Sequence, residues 1–421
     1  MTARQPDFDA CCQLLNTIFG GGAGLVPLAY AVRRTGPRMG SALILLCGCL
    51  SAHTAGAVVA VSSCTGERTY QGIAKRTIGP RAAKMVRLLL IAFAFGTGVA
   101  GLSIFADVAQ SASPAWRRPV CVALAGCIVT PLVVGIREIE RLAAISVAAS
   151  ALVLAFLIYV IFGYVHMPAA EEARLPEEPR TLAGVLHATS VVNLSFNCHF
   201  NLLPLFYALP AHSTNLSSSP REANRQQLLR MRRLVGTAVA IALAVYSLVG
   251  LLGFYAFHGR PSGNIFADYA TLGPVGAAVN YALALAQLLT LPLLVHEGVR
   301  EAVDFASGRA SRATFGGDGG QEEAALLDER AAEKSVIASS AVGLFGGAWC
   351  VLMTLTAMVL VDTTEVLGLV SSLCGAPMMN VLPLWMLLKT GSGRTLDVLL
   401  LAIGVVATVG FTFSAFRGSV Q

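Results

Sequence analysis

The chain has 421 residues, of which 55% are hydrophobic and only 13% are charged, and its formal net charge is +6. Soluble domains carry about 25% charged residues, so this composition excludes a water-soluble globular protein. Apolar stretches of about 18 or more residues, enough to cross roughly 30 Å of hydrocarbon, recur along the whole sequence. The sequence therefore predicts an all-α integral membrane protein that crosses the bilayer many times.

Eleven apolar stretches, separated by polar breaks, are predicted to form transmembrane helices. They cover residues 11–32, 41–64, 88–110, 119–136, 142–165, 183–208, 234–257, 276–298, 335–361, 364–388 and 397–416. With a cytoplasmic N-terminus, most of the 30 lysines and arginines fall in connections on the cytoplasmic side, the usual bias of membrane proteins. One connection, 33–38, goes against this bias because it places three arginines outside. The basic charge thus predicts orientation in a membrane and not binding to nucleic acid.

The first and sixth spans are interrupted at mid-depth by residues that weaken a helix. The first holds Gly20, Gly21, Gly22, Ala23 and Gly24 and then Pro27, and the sixth holds Asn193, Ser195, Asn197, Cys198, His199, Asn201 and Pro204. Irregular backbone and polar side chains at this depth survive where they are buried in protein or line water. Paired interruptions in corresponding spans of two halves indicate a transporter's binding site. A small-residue face for helix packing is the alternative for the glycines.

Five spans separate the two interruptions, which predicts two inverted repeats followed by one further helix. We predict a short cytoplasmic N-terminus (1–10), a first five-helix repeat (11–166), an extracellular or lumenal loop (167–182), a second five-helix repeat (183–390) and an eleventh helix with the C-terminus (391–421). The two long polar connections of the second repeat, 209–233 and 299–334, are predicted to be cytoplasmic loops. The ten cysteines lie almost all in apolar segments without a C-x-x-C pair, so we expect neither a disulfide nor a metal site.

Four stretches of the sequence carry motifs of a known family. They are LLNTIFGGGAGLVPLAYAVRRTG (14–36), TYQGIAKRTIGP (69–80), LSFNCHFNLLPLF (194–206) and LLTLPLLVHEGVR (288–300). In these stretches the chain resembles the amino acid/auxin permease superfamily and, within it, the sodium-coupled neutral and vesicular amino acid transporters. The resemblance implies eleven transmembrane helices in a LeuT-type 5+5 inverted repeat, with helices 1 and 6 broken, and ion-coupled secondary transport of amino acids. Leu28 stands where the family's pattern has Tyr, which leaves the identity of the amino acid open.

The predicted substrate site lies between the two interrupted spans. Unpaired backbone N–H groups at a half-helix N-terminus attract anions, and glycine lets a ligand approach the backbone closely. The backbone of residues 20–24 is therefore expected to bind the substrate carboxylate. Ser195, Asn197 and Cys198 are expected to face it and to shape the pocket, with a role in helix packing as the alternative for each.

The coupling ion is either sodium or a proton. By the resemblance, Asn16 and Thr290 match positions that supply oxygen ligands to sodium in the coupled members, and hard cations take oxygen ligands. A hydroxyl bonded back to its own helix is the alternative for Thr290. A proton relay would instead use His53 or His199, because the centres of the spans lack Asp and Glu. A structural, hydrogen-bonded histidine is the alternative at both positions.

The sequence as a whole predicts a secondary active amino acid transporter and not an enzyme, since it lacks an H-E-x-x-H or G-x-S-x-G motif within a span. The alternative is a membrane amino acid sensor that signals through 209–233 or 299–334. The expected partners are the amino acid and the lipid bilayer, without an obligate protein partner. We expect no cofactor beyond the coupling sodium ion or proton, and a multi-pass location in the plasma membrane or the vacuolar or lysosomal membrane.

Overall fold

The computed structural model of the protein is all-helical and describes residues 6–135, 143–166, 181–209, 220–306, 328–360 and 362–418. Its α-helices are α1 (Pro6–Phe19), α2 (Leu28–Thr35), α3 (Pro37–Thr65), α4 (Tyr70–Thr77), α5 (Pro80–Ala112), α6 (Arg118–Gly135), α7 (Ala143–His166), α8 (Leu182–Ser195), α9 (Leu202–Ala208), α10 (Pro220–Ala256), α11 (Ile265–Ala270), α12 (Pro274–Ala306), α13 (Asp328–Val359), α14 (Thr363–Val370), α15 (Leu382–Lys389) and α16 (Thr395–Gly418).

Six helical stretches among the described residues are long and apolar enough to cross a membrane. They are Pro37–Thr65, Pro80–Ser111, Asn224–Ala256, Pro274–Pro292, Thr363–Lys389 and Thr395–Ala415. A seventh crossing arises if Asp7–Phe19 and Ala23–Thr35, which meet at an angle of 53°, form one bent span. Shorter apolar helices lie in the predicted fourth, fifth, sixth and ninth spans. The protein is therefore a multi-pass membrane protein.

Several helices run beyond the ends that hydropathy predicts. α10 begins at Pro220 and α12 continues to Ala306, so parts of the predicted loops 209–233 and 299–334 are helical. Proline is well suited to the first position of a helix, and the Arg, Gln and Leu residues that follow Pro220 favour helix in water as well as in lipid. The rest of these two loops, at 210–219 and 307–327, lies outside the described residues. The same holds for residues 1–5 and for 167–180 of the predicted outer loop.

Two short helices, α4 and α11, lie between spans and begin at side-chain caps. Thr69 accepts a hydrogen bond at its Oγ1 from the Gly72 N–H at 3.0 Å and so caps α4. The Asn264 Oδ1 accepts from the N–H groups of Phe266 and Ala267 and so caps α11. Such a cap satisfies donors that a helix N-terminus leaves unpaired. Both helices are thereby fixed at the ends of the bundle.

The tenth predicted span is irregular in its middle. Between α14 and α15 the chain forms two π-helical turns, Ser371–Gly375 and Pro377–Val381. Proline cannot donate the backbone hydrogen bond of an α-helix, and Pro377 is the first residue of the second turn. The Met378 carbonyl there accepts a hydrogen bond from the Tyr70 hydroxyl at 2.6 Å, which joins α4 to the interior of the span. Hydropathy gave no sign of this third irregular span.

Candidate functional site

The first interruption lies at the predicted glycines. α1 ends at Phe19, residues Gly20–Leu25 form a 3₁₀ turn, and α2 begins at Leu28 after Pro27. Gly20 has a φ of +54°, which a residue with a Cβ adopts at a cost. The Val26 carbonyl accepts a hydrogen bond from the Ile265 N–H at 3.3 Å, so α11 contacts the chain between the two halves.

The second interruption lies in the polar part of the sixth predicted span. α8 ends at Ser195 and α9 begins at Leu202, with non-helical backbone between them. Side chains of α3 hold this backbone: the Ser51 hydroxyl donates to the Phe196 carbonyl at 2.8 Å, and the Thr54 Oγ1 lies 2.9 Å from the His199 Nε2. Irregular backbone at membrane depth requires such partners because lipid offers none.

The two interruptions meet through an exposed hydrogen bond between side chains and through the buried Tyr246. Asn201 donates from its Nδ2 to the Thr17 Oγ1 at 3.2 Å. The Tyr246 hydroxyl of α10 lies 2.8 Å from the Ile18 carbonyl oxygen and 2.8 Å from the Ser195 carbonyl oxygen. Tyr246 is therefore shared by the end of α1 and the end of α8. Tyr246 is not among the residues predicted from the sequence, because a tyrosine in an otherwise regular apolar helix gives no local sign of a site.

Two of the buried polar atoms that have no hydrogen-bond partner in the described part of the chain lie at the second interruption. Within the described residues, the Asn197 Oδ1 and the His199 Nδ1 are buried and have no partner. The Cys198 side chain beside them is also buried. The Thr54 hydroxyl is 2.9 Å from the Leu50 carbonyl oxygen, to which it donates its hydrogen. In this arrangement the hydroxyl oxygen accepts a hydrogen bond from the Nε2–H of His199. The Nδ1 of the same ring then carries a lone pair that accepts no hydrogen bond from the described residues. Buried polar groups are normally paired, so these atoms fit a site for a polar ligand.

The predicted ion ligands lie on two helices near the first interruption. Asn16 is half-buried in the last turns of α1. Thr290 lies on α12, which contacts the 3₁₀ turn Gly20–Leu25, and its hydroxyl donates to the Gln287 carbonyl at 2.8 Å. This bond within the helix, which was the alternative for Thr290, uses the hydroxyl hydrogen and leaves the oxygen lone pairs for a cation. The Gln287 Oε1 is a further buried acceptor without a partner in the described part of the chain.

His53 is not among the side chains that hold the second interruption. Its Nε2 lies 2.7 Å from the Asp397 Oδ1 at the start of α16, and the side chains of His53 and Asp397 are 41% and 4% exposed. The other Asp397 oxygen accepts from the Arg394 N–H at 2.7 Å. The two histidines named for proton coupling thus have different surroundings, one beside a carboxylate and one beside a hydroxyl.

Comparisons with known proteins agree on the kind of protein. The family described as transmembrane amino acid transporter protein matches residues 8–396. The human Solute carrier family 38 member 10 is 20% identical over 272 residues, which cover 61% of this chain and 22% of that protein. The Vacuolar amino acid transporter 6 of Saccharomyces cerevisiae is 22% identical over 294 residues, covering 65% of this chain and 61% of its own length. The matched part of the chain thus spans less than two thirds of either relative.

A solved membrane transporter has the same fold. A mutant of the Eremococcus coleocola manganese transporter superposes with a TM-score of 0.54 at 10% sequence identity, and the match covers 97% of this chain and 86% of that one. At this identity the likeness concerns the arrangement of the helices alone.

Proposed function

The chain belongs to the family of transmembrane amino acid transporter proteins, and from this premise we propose that it is an ion-coupled secondary active transporter of amino acids. It makes and breaks no covalent bond. The observation that carries the proposal is the junction of the two interrupted spans, where Tyr246 and the pair Thr17–Asn201 join α1 to the end of α8 and to the chain that follows it.

The substrate carboxylate is bound by backbone N–H groups of residues 20–24. The first turn of α2, directly after this segment, leaves N–H groups without helical partners, and these favour an anion at the break. Ser195, Asn197 and Cys198 form the opposite wall. The unpaired Asn197 Oδ1 supports this role, because a bound polar group would satisfy it.

Alternating access around this site follows from two inverted five-helix repeats with an eleventh helix after them. The interruptions lie in the first and sixth of the eleven predicted spans, which are the corresponding spans of such repeats. Each repeat then supplies one broken helix, and relative movement of the two halves opens the site to one side at a time. The membrane is the plasma membrane or a vacuolar or lysosomal one; one of the relatives is named as vacuolar.

The coupling ion is sodium at Asn16 and Thr290, or a proton at His199 or His53. Thr290 supports sodium, since its hydroxyl donates its hydrogen to the Gln287 carbonyl and keeps its lone pairs, and the Gln287 Oε1 one turn earlier is a buried acceptor without a partner in the described part of the chain. His199 supports the proton, since its unpaired Nδ1 lies at the interruption itself. The two choices differ in which gradient drives uptake.

The test is uptake of tritiated L-amino acids, assayed one at a time, by the purified protein in proteoliposomes. Uptake is measured with an inward sodium gradient, an inward proton gradient, both, or neither. We expect accumulation that requires one of the gradients. Binding of an amino acid without uptake would contradict transport and favour a sensor, and uptake that ignores both gradients would contradict coupling.

If sodium drives uptake, the variants Asn16→Ala and Thr290→Val are expected to raise the sodium concentration for half-maximal uptake by about tenfold. This corresponds to about 1.4 kcal/mol of lost ion binding. Thr290→Ser keeps the oxygen and is the matched control. An unchanged sodium dependence in both variants would exclude these two ligands and leave the histidines.

A further inference from the structure

Tyr246 reaches the junction of the two interrupted spans from a third, uninterrupted helix. Its side chain is fully buried, and α10 runs without a break from Pro220 to Ala256. The two carbonyl groups near its hydroxyl belong to Ile18, in the last turn of α1, and to Ser195, the last residue of α8. Carbonyls in the last turn of a helix lack helical partners, so both need a donor from elsewhere.

One hydroxyl hydrogen is available for two carbonyl oxygens. A phenol has a single O–H donor, and both oxygens lie 2.8 Å from the Tyr246 oxygen, so the hydrogen serves either one with the same geometry. In a buried site an unpaired carbonyl is costly. The hydroxyl therefore favours an arrangement in which the ends of α1 and α8 stay at a fixed separation around it.

Aromatic rings hold the phenol in this position from both sides. The Phe19 ring centre is 5.8 Å away and the Phe196 ring centre 4.9 Å away, each in an edge-to-face arrangement. Phe19 ends α1, and Phe196 follows α8 directly. Both spans thus contribute a carbonyl and a ring to the same tyrosine.

Gly24 leaves the space that the hydroxyl occupies. A Cβ added at Gly24 would lie 2.4 Å from the Tyr246 oxygen and 2.9 Å from the Ile18 carbonyl oxygen. A side chain at this position would therefore displace the hydroxyl from between the two carbonyls. The position of the Tyr246 hydroxyl therefore depends on the presence of glycine at position 24 of the 3₁₀ turn.

We propose that Tyr246 is a positioning residue of the transport site, which fixes the separation of the two interrupted spans through one hydroxyl shared by the Ile18 and Ser195 carbonyls. The proposal rests on the proposed function, because the spacing matters to the extent that the substrate binds between these spans. Tyr246 itself need not touch the substrate. Its removal changes how well the two walls of the site fit an amino acid.

The first experiment compares Tyr246→Phe with Tyr281→Phe in the proteoliposome assay, using the tritiated L-amino acid that the unmodified protein accumulates most. Tyr281 is the matched control, because its hydroxyl also donates to a backbone carbonyl, that of Ala109 on α5 at 3.2 Å, which belongs to neither interrupted span. We expect Tyr246→Phe to raise KM about tenfold, with the maximal rate within about twofold, and Tyr281→Phe to leave both unchanged. Equal KM values for the two variants would overturn the proposal.

If Tyr246→Phe does not accumulate in the membrane, Gly24→Ala replaces it in this assay. Its methyl group displaces the hydroxyl while the tyrosine remains. Gly20→Ala alters the same carboxylate-binding segment without reaching Tyr246 and is the control. A larger increase in KM in Gly24→Ala than in Gly20→Ala supports the proposal, and an equal or smaller one would overturn it.

The second experiment needs no transport. Thermal unfolding midpoints in detergent are measured for Gly24→Ala, Tyr246→Phe and the double variant, and for the pair Gly24→Ala and Tyr281→Phe. Residues in contact give non-additive effects, whereas distant ones add. We expect the unfolding midpoint of the double variant Gly24→Ala, Tyr246→Phe to fall clearly less than the sum of the decreases in the two single variants. For the pair Gly24→Ala and Tyr281→Phe we expect the two decreases to add.

The two experiments separate the two claims. The unmodified protein could take up no amino acid while the cycle with Tyr246→Phe is non-additive. In that case the proposed function fails, but the role of Tyr246 in fixing the separation of the two spans is supported. An additive cycle would overturn this role of Tyr246, whatever the result of the uptake assay.

Discussion

At the scale of single residues, the left-handed backbone conformation of Gly20 limits which residues can replace it without strain. Its φ is +54°, and an added Cβ would meet nothing closer than the Ala23 Cβ at 3.7 Å, so space is not limiting there. The cost of a substitution is then conformational, about 1–2 kcal/mol for an ordinary L-residue. Asparagine tolerates this region far better than a β-branched residue does.

We therefore expect Gly20→Val to lower both the unfolding midpoint and the uptake rate, and Gly20→Asn to lower them much less, although the two side chains are similar in bulk. Both quantities are measured on purified protein in detergent and in proteoliposomes. Equal losses in the two variants would mean that volume, and not the backbone angle, matters at this position.

Local sequence predicts some of the site residues and misses others. Glycines and a run of polar residues in apolar surroundings mark both interruptions, because helix propensity and the cost of buried polar groups are local properties. Tyr246 and Asp397 belong to no such pattern. Tyr246 meets Ile18 and His53 meets Asp397 through hydrogen bonds between residues 228 and 344 positions apart in the chain, and a single sequence carries no sign of contacts at that separation.

At the scale of elements, one side chain, Asn264, both caps α11 and bonds it to α5. While the Asn264 Oδ1 caps α11, its Nδ2 donates to the Ile104 carbonyl and to the Asp107 Oδ2, each at 3.3 Å. Asp107 also accepts from the Arg118 Nε at 3.2 Å and from the Thr363 hydroxyl. Donors from three other parts of the chain thus meet at the Asp107 carboxylate. This carboxylate lies next to α11, whose Ile265 N–H bonds to the Val26 carbonyl.

We expect Asn264→Ala to loosen α11 specifically. Loss of an N-cap costs about 1 kcal/mol, which corresponds to roughly fivefold faster amide exchange in residues 265–270 if they open locally. Hydrogen exchange followed by mass spectrometry measures this. Asp107 keeps Arg118 and Thr363 as partners, so no buried charge is left alone.

The matched control is Thr69→Ala, which removes the cap of α4. Exchange should then increase in residues 70–77 and stay unchanged in 265–270. Faster exchange throughout the protein in both variants would contradict a local role for the two caps.

Hydropathy predicts where helices run but not how they end or bend. The predicted helical positions follow from apolar length, whereas the extension of α10 into water depends on helix-forming polar residues that a hydropathy window counts as loop. The two π-helical turns of the tenth span have the sequences SSLCG and PMMNV, which lie within a span of high mean hydropathy, and their form depends on which neighbours satisfy the backbone. Tertiary contacts therefore determine where a helix ends and whether a turn is α-helical or π-helical.

At the scale of the whole molecule, orientation rests on the distribution of charge. The exception is the connection 33–38, whose arginines lie on the predicted outer side. The Arg33 guanidinium donates from Nη1 to the Pro261 carbonyl at 3.1 Å, in the segment before α11. A structural role of this kind explains why a basic residue lies against the overall bias.

The predicted orientation places Cys64 and Leu272 on opposite sides of the membrane, and this can be tested directly. Cys64 is exposed at the end of α3, and Leu272 is 41% exposed between α11 and α12. In sealed cells that carry the protein in the plasma membrane, a membrane-impermeant maleimide should modify Leu272→Cys at once and Cys64 only after permeabilisation, with the sites identified by peptide mass spectrometry. Cys64→Ser is the control for the labelling of Cys64 after permeabilisation. The reverse order would place the N-terminus outside, and modification of both in sealed cells would contradict an odd number of crossings between them.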